Sequence, residues 1–121
     1  MYDGQLVKKG AHLNGVGAYT PDMQEIDEYS ILHADKVYVD TRDGVLNEAG
    51  DLIKPIQRGV YSADRVTGEL GEVIIGKIPG RSSDAELTVF KTTGTAVLDI
   101  VTAKRIYDAA LQQKIGNVVK F

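Results

Sequence analysis

Apolar and polar positions run in short blocks along this chain, and the period changes wherever Gly, Asp or Pro intervenes. Residues His12 to Gly17 form an apolar, glycine-rich run after Lys8-Lys9-Gly10, readable as a strand that ends in the loop Ala18-Tyr19-Thr20-Pro21-Asp22. From Glu25 to Ala34, the placing of Ile26, Tyr29, Ile31 and Leu32 suits a short helix better than a strand. Lys36 to Asp40 is β-rich, and Asp43 to Gly59 reads as two short helical pieces despite Gly44, Gly50 and Pro55. Val66, Leu70, Val73 and Ile74 stand at i, i+4, i+7 and i+8, which predicts an amphipathic helix over Asp64 to Gly76. Glu86 to Lys91 alternates as a strand.

The longest periodic segment is Ala96 to Ile115, where Ala96, Ile100, Ala103, Tyr107, Ala110 and Leu111 share one helical face. Asp99 near its start and Lys114 near its end match the helix dipole, and Gly116 is placed to terminate it. Strands alternating with helices predict an α/β layer structure with a mostly parallel sheet. Such sheets bind ligands outside the carboxyl ends of their strands. Two loops therefore become candidate sites: Gly15 to Pro21, and Thr92 to Thr95.

Composition narrows the function classes. With 121 residues there is room for one domain or part of one. Hydrophobic residues at 43% and charged residues at 26% fit a folded globule, not a disordered segment. Fourteen Lys and Arg against 17 Asp and Glu leave a formal charge of −3, without the basic footprint of a nucleic-acid binder. No cysteine is present, which removes disulfides, thiolate nucleophiles and zinc–cysteine sites. His12 and His33 are the only histidines and show no ligand spacing, so no metal is expected. The absence of a long apolar run or a signal-like start makes a cytoplasmic location the expectation, without membrane association.

Individual motifs support modest readings. Gly71-Glu72-Val73-Ile74-Ile75-Gly76-Lys77 has phosphate-loop spacing, but Ile78 stands where Ser or Thr must hold magnesium, so Val73-Ile74-Ile75 read as helix packing. Gly15-Val16-Gly17 resembles the opening of a dinucleotide fingerprint and then departs from it at Thr20-Pro21. Those glycines serve either a tight turn or the close approach of a ligand. Thr92-Thr93-Gly94-Thr95 precedes the long helix, so a hydroxyl is expected to cap it, with ligand contact as a second use. Arg81 reads as a turn charge or a partner of Asp84 sooner than as an anion clamp, His12 as structural sooner than as a proton exchanger, and Asp40, at a strand end, as solvent-exposed sooner than as a ligand contact. Glu25, Asp27 and Glu28 read together as helix N-terminal charge.

Taken in order, several of these segments resemble one family. Gly10-Ala11-His12-Leu13-Asn14-Gly15-Val16-Gly17, then Pro21 and Glu25-Ile26-Asp27, are similar to the ornithine cyclodeaminase and mu-crystallin family. So are Leu70 to Lys77, Gly80-Arg81, and Leu87 through Val97 with Asp99 and the helix that follows. The resemblance implies the later half of a Rossmann-type NAD(P)-binding domain plus a long C-terminal helix. It implies a partial dinucleotide-binding domain over residues 1–92. Residues 93–121 would then return toward a substrate and dimerisation lobe.

On that resemblance, Leu13, Asn14, Gly15 and Val16 lie along the nicotinamide of NAD or NADP, Thr92 contacts the cofactor, and Thr93 contacts the substrate. The activity implied is hydride transfer at the α-carbon of an amino or imino acid, with or without deamination. The alternative is a non-catalytic binding or structural module of the same descent. Tyr19 stands where ornithine cyclodeaminases resemble one another in carrying an acid, and a tyrosine of ordinary pKa near 10 is a poor base at neutral pH. The family's glycine-rich phosphate loop and basic substrate residues would precede this segment. The chain alone is therefore expected to be a truncated unit whose own cofactor binding is doubtful, to show little or no activity and to form homo-oligomers.

Overall fold

The computed structural model describes residues 2–117 and 119. Among the described residues, four parallel strands form the sheet: β1 (His12–Gly15), β2 (Lys36–Val39), β3 (Gly68–Glu69) and β4 (Thr88–Lys91). Their order in space is β1-β4-β2-β3. The helices are α1 (Glu28–His33), α2 (Arg42–Glu48), α3 (Gly50–Gln57), α4 (Leu70–Ile74) and α5 (Ala96–Gln113). The α/β, Rossmann-type architecture with a long C-terminal helix expected from the sequence is the one observed.

Strand order explains the layers. The steps β1 to β2 and β2 to β3 cross the sheet in one direction, so right-handed crossovers place α1, α2 and α3 together on one face. The step from β3 back to β4 runs the other way and puts α4 on the opposite face. The main core is accordingly on the first side, where Ile31, Val45 and Leu52 from the three helices pack on Val37, Val39 and Val89. Each such side chain contributes about 1.5–3 kcal/mol on burial.

On the other face, Asn14, Tyr38, Phe90, Leu70 and Val73 line an open groove of about 450 Å³. Arg81 donates to the carbonyl oxygens of Gly10, Ser83 and Asp84, tying the segment before β4 to the entry of β1. It does not pair with the Asp84 carboxylate as the sequence suggested. His12 is structural, its Nδ1 lying 2.7 Å from the Thr88 hydroxyl across the β1–β4 pair.

Three element boundaries differ from the sequence reading. Asp64 to Gly76 is not one helix: it divides into a short 3₁₀ turn at Ala63–Arg65, then β3, then α4. Pairing with β2 overrides the helical period, because Thr67 N–H donates to the Val37 carbonyl at 2.7 Å and Val37 N–H to the Thr67 hydroxyl at 3.0 Å. Ile74 and Ile75 consequently project into solvent and do not pack a helix face. Second, α1 starts at Glu28 because Asp27 caps it, its carboxylate accepting from Tyr29 N–H. Third, α5 stops at Gln113, where Lys114 itself takes the left-handed conformation with φ 55°, ahead of Gly116.

Among the described residues, α5 buries none of its side chains, and Val97, Leu98, Ile100, Val101, Ile106, Tyr107 and Leu111 are all exposed. At about 1.5 Å per residue its 18 residues span about 27 Å. Among the described residues no helix is long and apolar enough to cross a membrane.

Candidate functional site

A parallel sheet collects the carboxyl ends of its strands at one edge. Here that edge brings together the Gly15 to Pro21 loop after β1, Asp40 after β2, and Thr92 to Thr95 after β4. The two loops selected from the sequence are adjacent, with Thr92 N–H donating to the Gly15 carbonyl at 3.0 Å.

Beneath this edge lies a charge cluster that the sequence reading missed. Lys91, the last residue of β4, has a fully buried side chain. Its Nζ lies 2.7 Å from Glu25 Oε1, 3.4 Å from Asp51 Oδ2 and 3.4 Å from the Gly15 carbonyl. Asp51, at the start of α3, accepts from the backbone N–H groups of Glu25 and Ile26 at 2.8 and 2.7 Å. Glu25 in turn accepts from Gly17 and Ala18 N–H at 2.7 and 3.0 Å. Burial alone raises the Glu25 carboxyl, and the bonds from Lys91, Ala18 and Gly17 outweigh it, leaving the group below the ordinary carboxylate range. Glu25 therefore belongs to the loop after β1 and is not helix N-terminal charge, as the sequence reading had it. Gly15 has a reason to be glycine here, since a Cβ would stand 2.5 Å from Ile26 Cδ1 and 3.1 Å from Lys91 Cδ.

A second network orders the loop after β4. Thr92 donates its hydroxyl proton to Asp40 Oδ2, while Gly94 N–H donates to both Thr92 Oγ1 at 2.9 Å and Asp40 Oδ2 at 3.1 Å. Asp40 Oδ1 accepts from Thr41 N–H at 2.7 Å. Asp40 is thus half-buried and fully engaged, where solvent exposure had been expected. Nor does a threonine hydroxyl cap α5: Thr95 is the N-cap residue and makes no side-chain cap bond, and the Thr92 hydroxyl is committed to Asp40. The Thr93 hydroxyl is buried without a partner among the described residues, facing Gly44 of α2.

The remaining candidates sit differently. Leu13 packs its side chain against the core, so only its backbone is free to face a ligand. Asn14 and Val16 are exposed, Val16 at 68%. Tyr19 is also exposed. Lys77 of the phosphate-loop-like segment pairs with Glu72, which closes a capping box on α4, so that segment is helix-terminus structure. Among the described residues no group of three or more His, Asp or Glu could hold a metal.

The groups of this edge include both an exposed amide side chain and an acceptor oxygen, the kinds of partner a carboxamide uses. A carboxamide carries two N–H donors and one acceptor. Thr92 retains an unused acceptor lone pair, Asn14 has no side-chain bond among the described residues, and Val16 offers an exposed apolar surface.

Fold and edge together define part of a Rossmann-type nucleotide-binding domain. A model of the ornithine cyclodeaminase/mu-crystallin family matches residues 1–114, and the chain belongs to that family. It is 43% identical over 117 residues to a Δ(1)-pyrroline-2-carboxylate reductase of Bacillus cereus, covering 97% of this chain and 36% of that protein. The structure of Thermococcus litoralis Δ(1)-pyrroline-2-carboxylate reductase in complex with NADH and L-proline superposes with a TM-score of 0.88 at 38% identity. That match covers 96% of this chain and 36% of the other. An archaeal alanine dehydrogenase dimer with bound NAD superposes at a TM-score of 0.83 and 36% identity, covering 97% and 36%. The chain thus spans about 36% of the length of these relatives and corresponds to a C-terminal portion. Nicotinamide cofactors are a property of the family.

Proposed function

We propose that this chain supplies the nicotinamide-facing part of an NAD(P)-dependent oxidoreductase that transfers hydride at the α-carbon of an amino or imino acid. When bound, the dihydronicotinamide provides a hydride for the imine carbon, and a proton to nitrogen completes the amine. The chain's own residues hold that ring: Asn14, Gly15, Val16 and the Leu13 backbone along one side, Thr92 at its carboxamide. Thr93 is assigned to the substrate side through its backbone, since its hydroxyl is turned toward Gly44. Residues 1–92 then form a partial dinucleotide-binding domain, and residues 93–121 lead toward a substrate and dimerisation lobe.

Hydride transfer without ring-closing deamination is favoured by Tyr19, since an exposed phenol does not replace a carboxylate base. The observation that carries the reading is the joining of the Gly15 and Thr92 loops at one carboxyl edge by the 3.0 Å bond between them.

The same proposal includes self-association of this chain through the exposed apolar surface of α5; one relative, the archaeal alanine dehydrogenase, is a dimer. The test is an NMR titration of the ¹⁵N-labelled chain with NADH. The amides of Asn14, Gly15, Val16, Thr92 and Gly94 are expected to shift in fast exchange, reflecting weak binding. Added Δ(1)-pyrroline-2-carboxylate should be reduced slowly at most by the chain alone. Shifts clustered elsewhere, or none at any concentration, would refute the placement.

A further inference from the structure

The hydrogen-bond pattern around Thr92 has a fixed direction. A carboxylate can only accept, so the single hydroxyl proton of Thr92 is given to Asp40 Oδ2. One of the two oxygen lone pairs of Thr92 is taken by Gly94 N–H at 2.9 Å. The same N–H also reaches Asp40 Oδ2 at 3.1 Å, and Thr41 N–H holds Asp40 Oδ1 at 2.7 Å. Neither the carboxylate nor the hydroxyl can rotate without abandoning one of these bonds. One lone pair of Thr92 is left, and it can only accept.

We propose that Asp40 is a positioning residue that sets the polarity of the Thr92 hydroxyl, so that this site selects a ligand bearing an N–H donor at the ring's 3-position. The inference rests on the nicotinamide reading above and deepens it, because an unsubstituted carboxamide meets the requirement. A methyl ketone at the same position presents only an acceptor and leaves the Thr92 lone pair facing a methyl group. A ring carboxylate is worse, placing a second anion near Asp40. Asparagine at position 40 cannot reproduce the arrangement, since one end of its amide is a donor and meets either Thr41 N–H or the Thr92–Gly94 pair.

The experiment is a titration of the full ¹⁵N-labelled chain with three reduced dinucleotides: NADH, its thionicotinamide analogue, which keeps the NH₂, and its 3-acetylpyridine analogue, which replaces the NH₂ with methyl. Dissociation constants are read from the edge amides. The acetylpyridine compound is expected to bind about 3- to 10-fold more weakly than the other two, the ordinary worth of one hydrogen bond. Thr92→Val should abolish that discrimination, Thr92→Ser should keep it, and Asp40→Asn should narrow it in a chain whose amide dispersion shows it folded. If all three compounds move the edge amides with equal affinity, the polarity proposal fails while the nicotinamide placement stands. The proposal also fails if Thr92→Val discriminates as well as the parent chain. If none of the three perturbs the edge, the placement falls and takes this inference with it.

Discussion

At the scale of single residues, Lys91 dominates the energetics of the edge. Its ammonium is removed from water and compensated by Glu25 and Asp51, while the Gly15 carbonyl satisfies a further direction. Removing one member of a buried ion cluster leaves the others uncompensated, which typically costs about 3–5 kcal/mol. Lys91→Met is therefore expected to lower the urea midpoint strongly, with the Glu25 and Asp51 carboxylates left facing one another. Glu25 adds a pH signature. Its carboxyl titrates below the ordinary 4.5 in the folded chain, so the stability it contributes is complete above that value. That contribution is lost as pH falls through the lowered value. In Glu25→Gln the chain should be less stable near neutrality and lose less of its stability between about pH 5 and pH 2, as read from urea unfolding. The cluster left only a faint trace in the sequence: Lys91 stands two residues after the core residue Val89 and so shares its inward face. An inward lysine requires an anion, but periodicity cannot say which of 17 acidic residues supplies it. Glu25 and Asp51 are 66 and 40 positions away, and only the fold brings them together.

At the scale of elements, local pattern was a good guide wherever one face is buried against a helix layer. β1, β2, β4, α2 and α3 all appear near their expected places, with β1 two residues shorter than the apolar run suggested. The pattern misled over residues 64–76, where the long-range ladder between Thr67 and Val37 claims the backbone before a helix can. It also misled at the start of α5, where three threonines among the four residues 92–95 promised a side-chain cap. Asp40, more than 50 residues earlier, binds Thr92 instead, and Thr93 turns its hydroxyl into the protein toward Gly44. That buried, unpartnered hydroxyl makes Thr93→Val an informative change. Removing an unsatisfied polar group while preserving shape should leave stability unchanged or raise it by up to about 1 kcal/mol, measured by thermal unfolding. Gly44→Ala should do the opposite, because a Cβ there would stand 2.8 Å from Thr41 Oγ1 and 3.2 Å from Thr93 Oγ1.

At the scale of the whole molecule, the sheet and α5 make an uneven pair. α1, α2 and α3 bury a complete face of the sheet, whereas α5 carries Val97, Leu98, Ile100, Val101, Ile106, Tyr107 and Leu111 in the open. Besides the face shared by Ile100, Tyr107 and Leu111, the apolar residues Val97, Leu98, Val101 and Ile106 lie elsewhere around the helix, so the apolar surface is not the single stripe of a helix resting on one surface. A helix of that kind is suited to burial between two bodies, and an exposed apolar area of this extent marks an association surface. The stability of the sheet should not depend on it. Ile100→Lys combined with Ile106→Lys is expected to change the urea midpoint little, since exposed substitutions typically fall within about 0.5 kcal/mol. The same pair should alter the sedimentation behaviour decisively. The parent chain is expected to sediment as a concentration-dependent dimer or larger species, and the double variant as a monomer. A parent chain that stays monomeric at every concentration would separate α5 from self-association, leaving the carboxyl edge and its nicotinamide reading untouched.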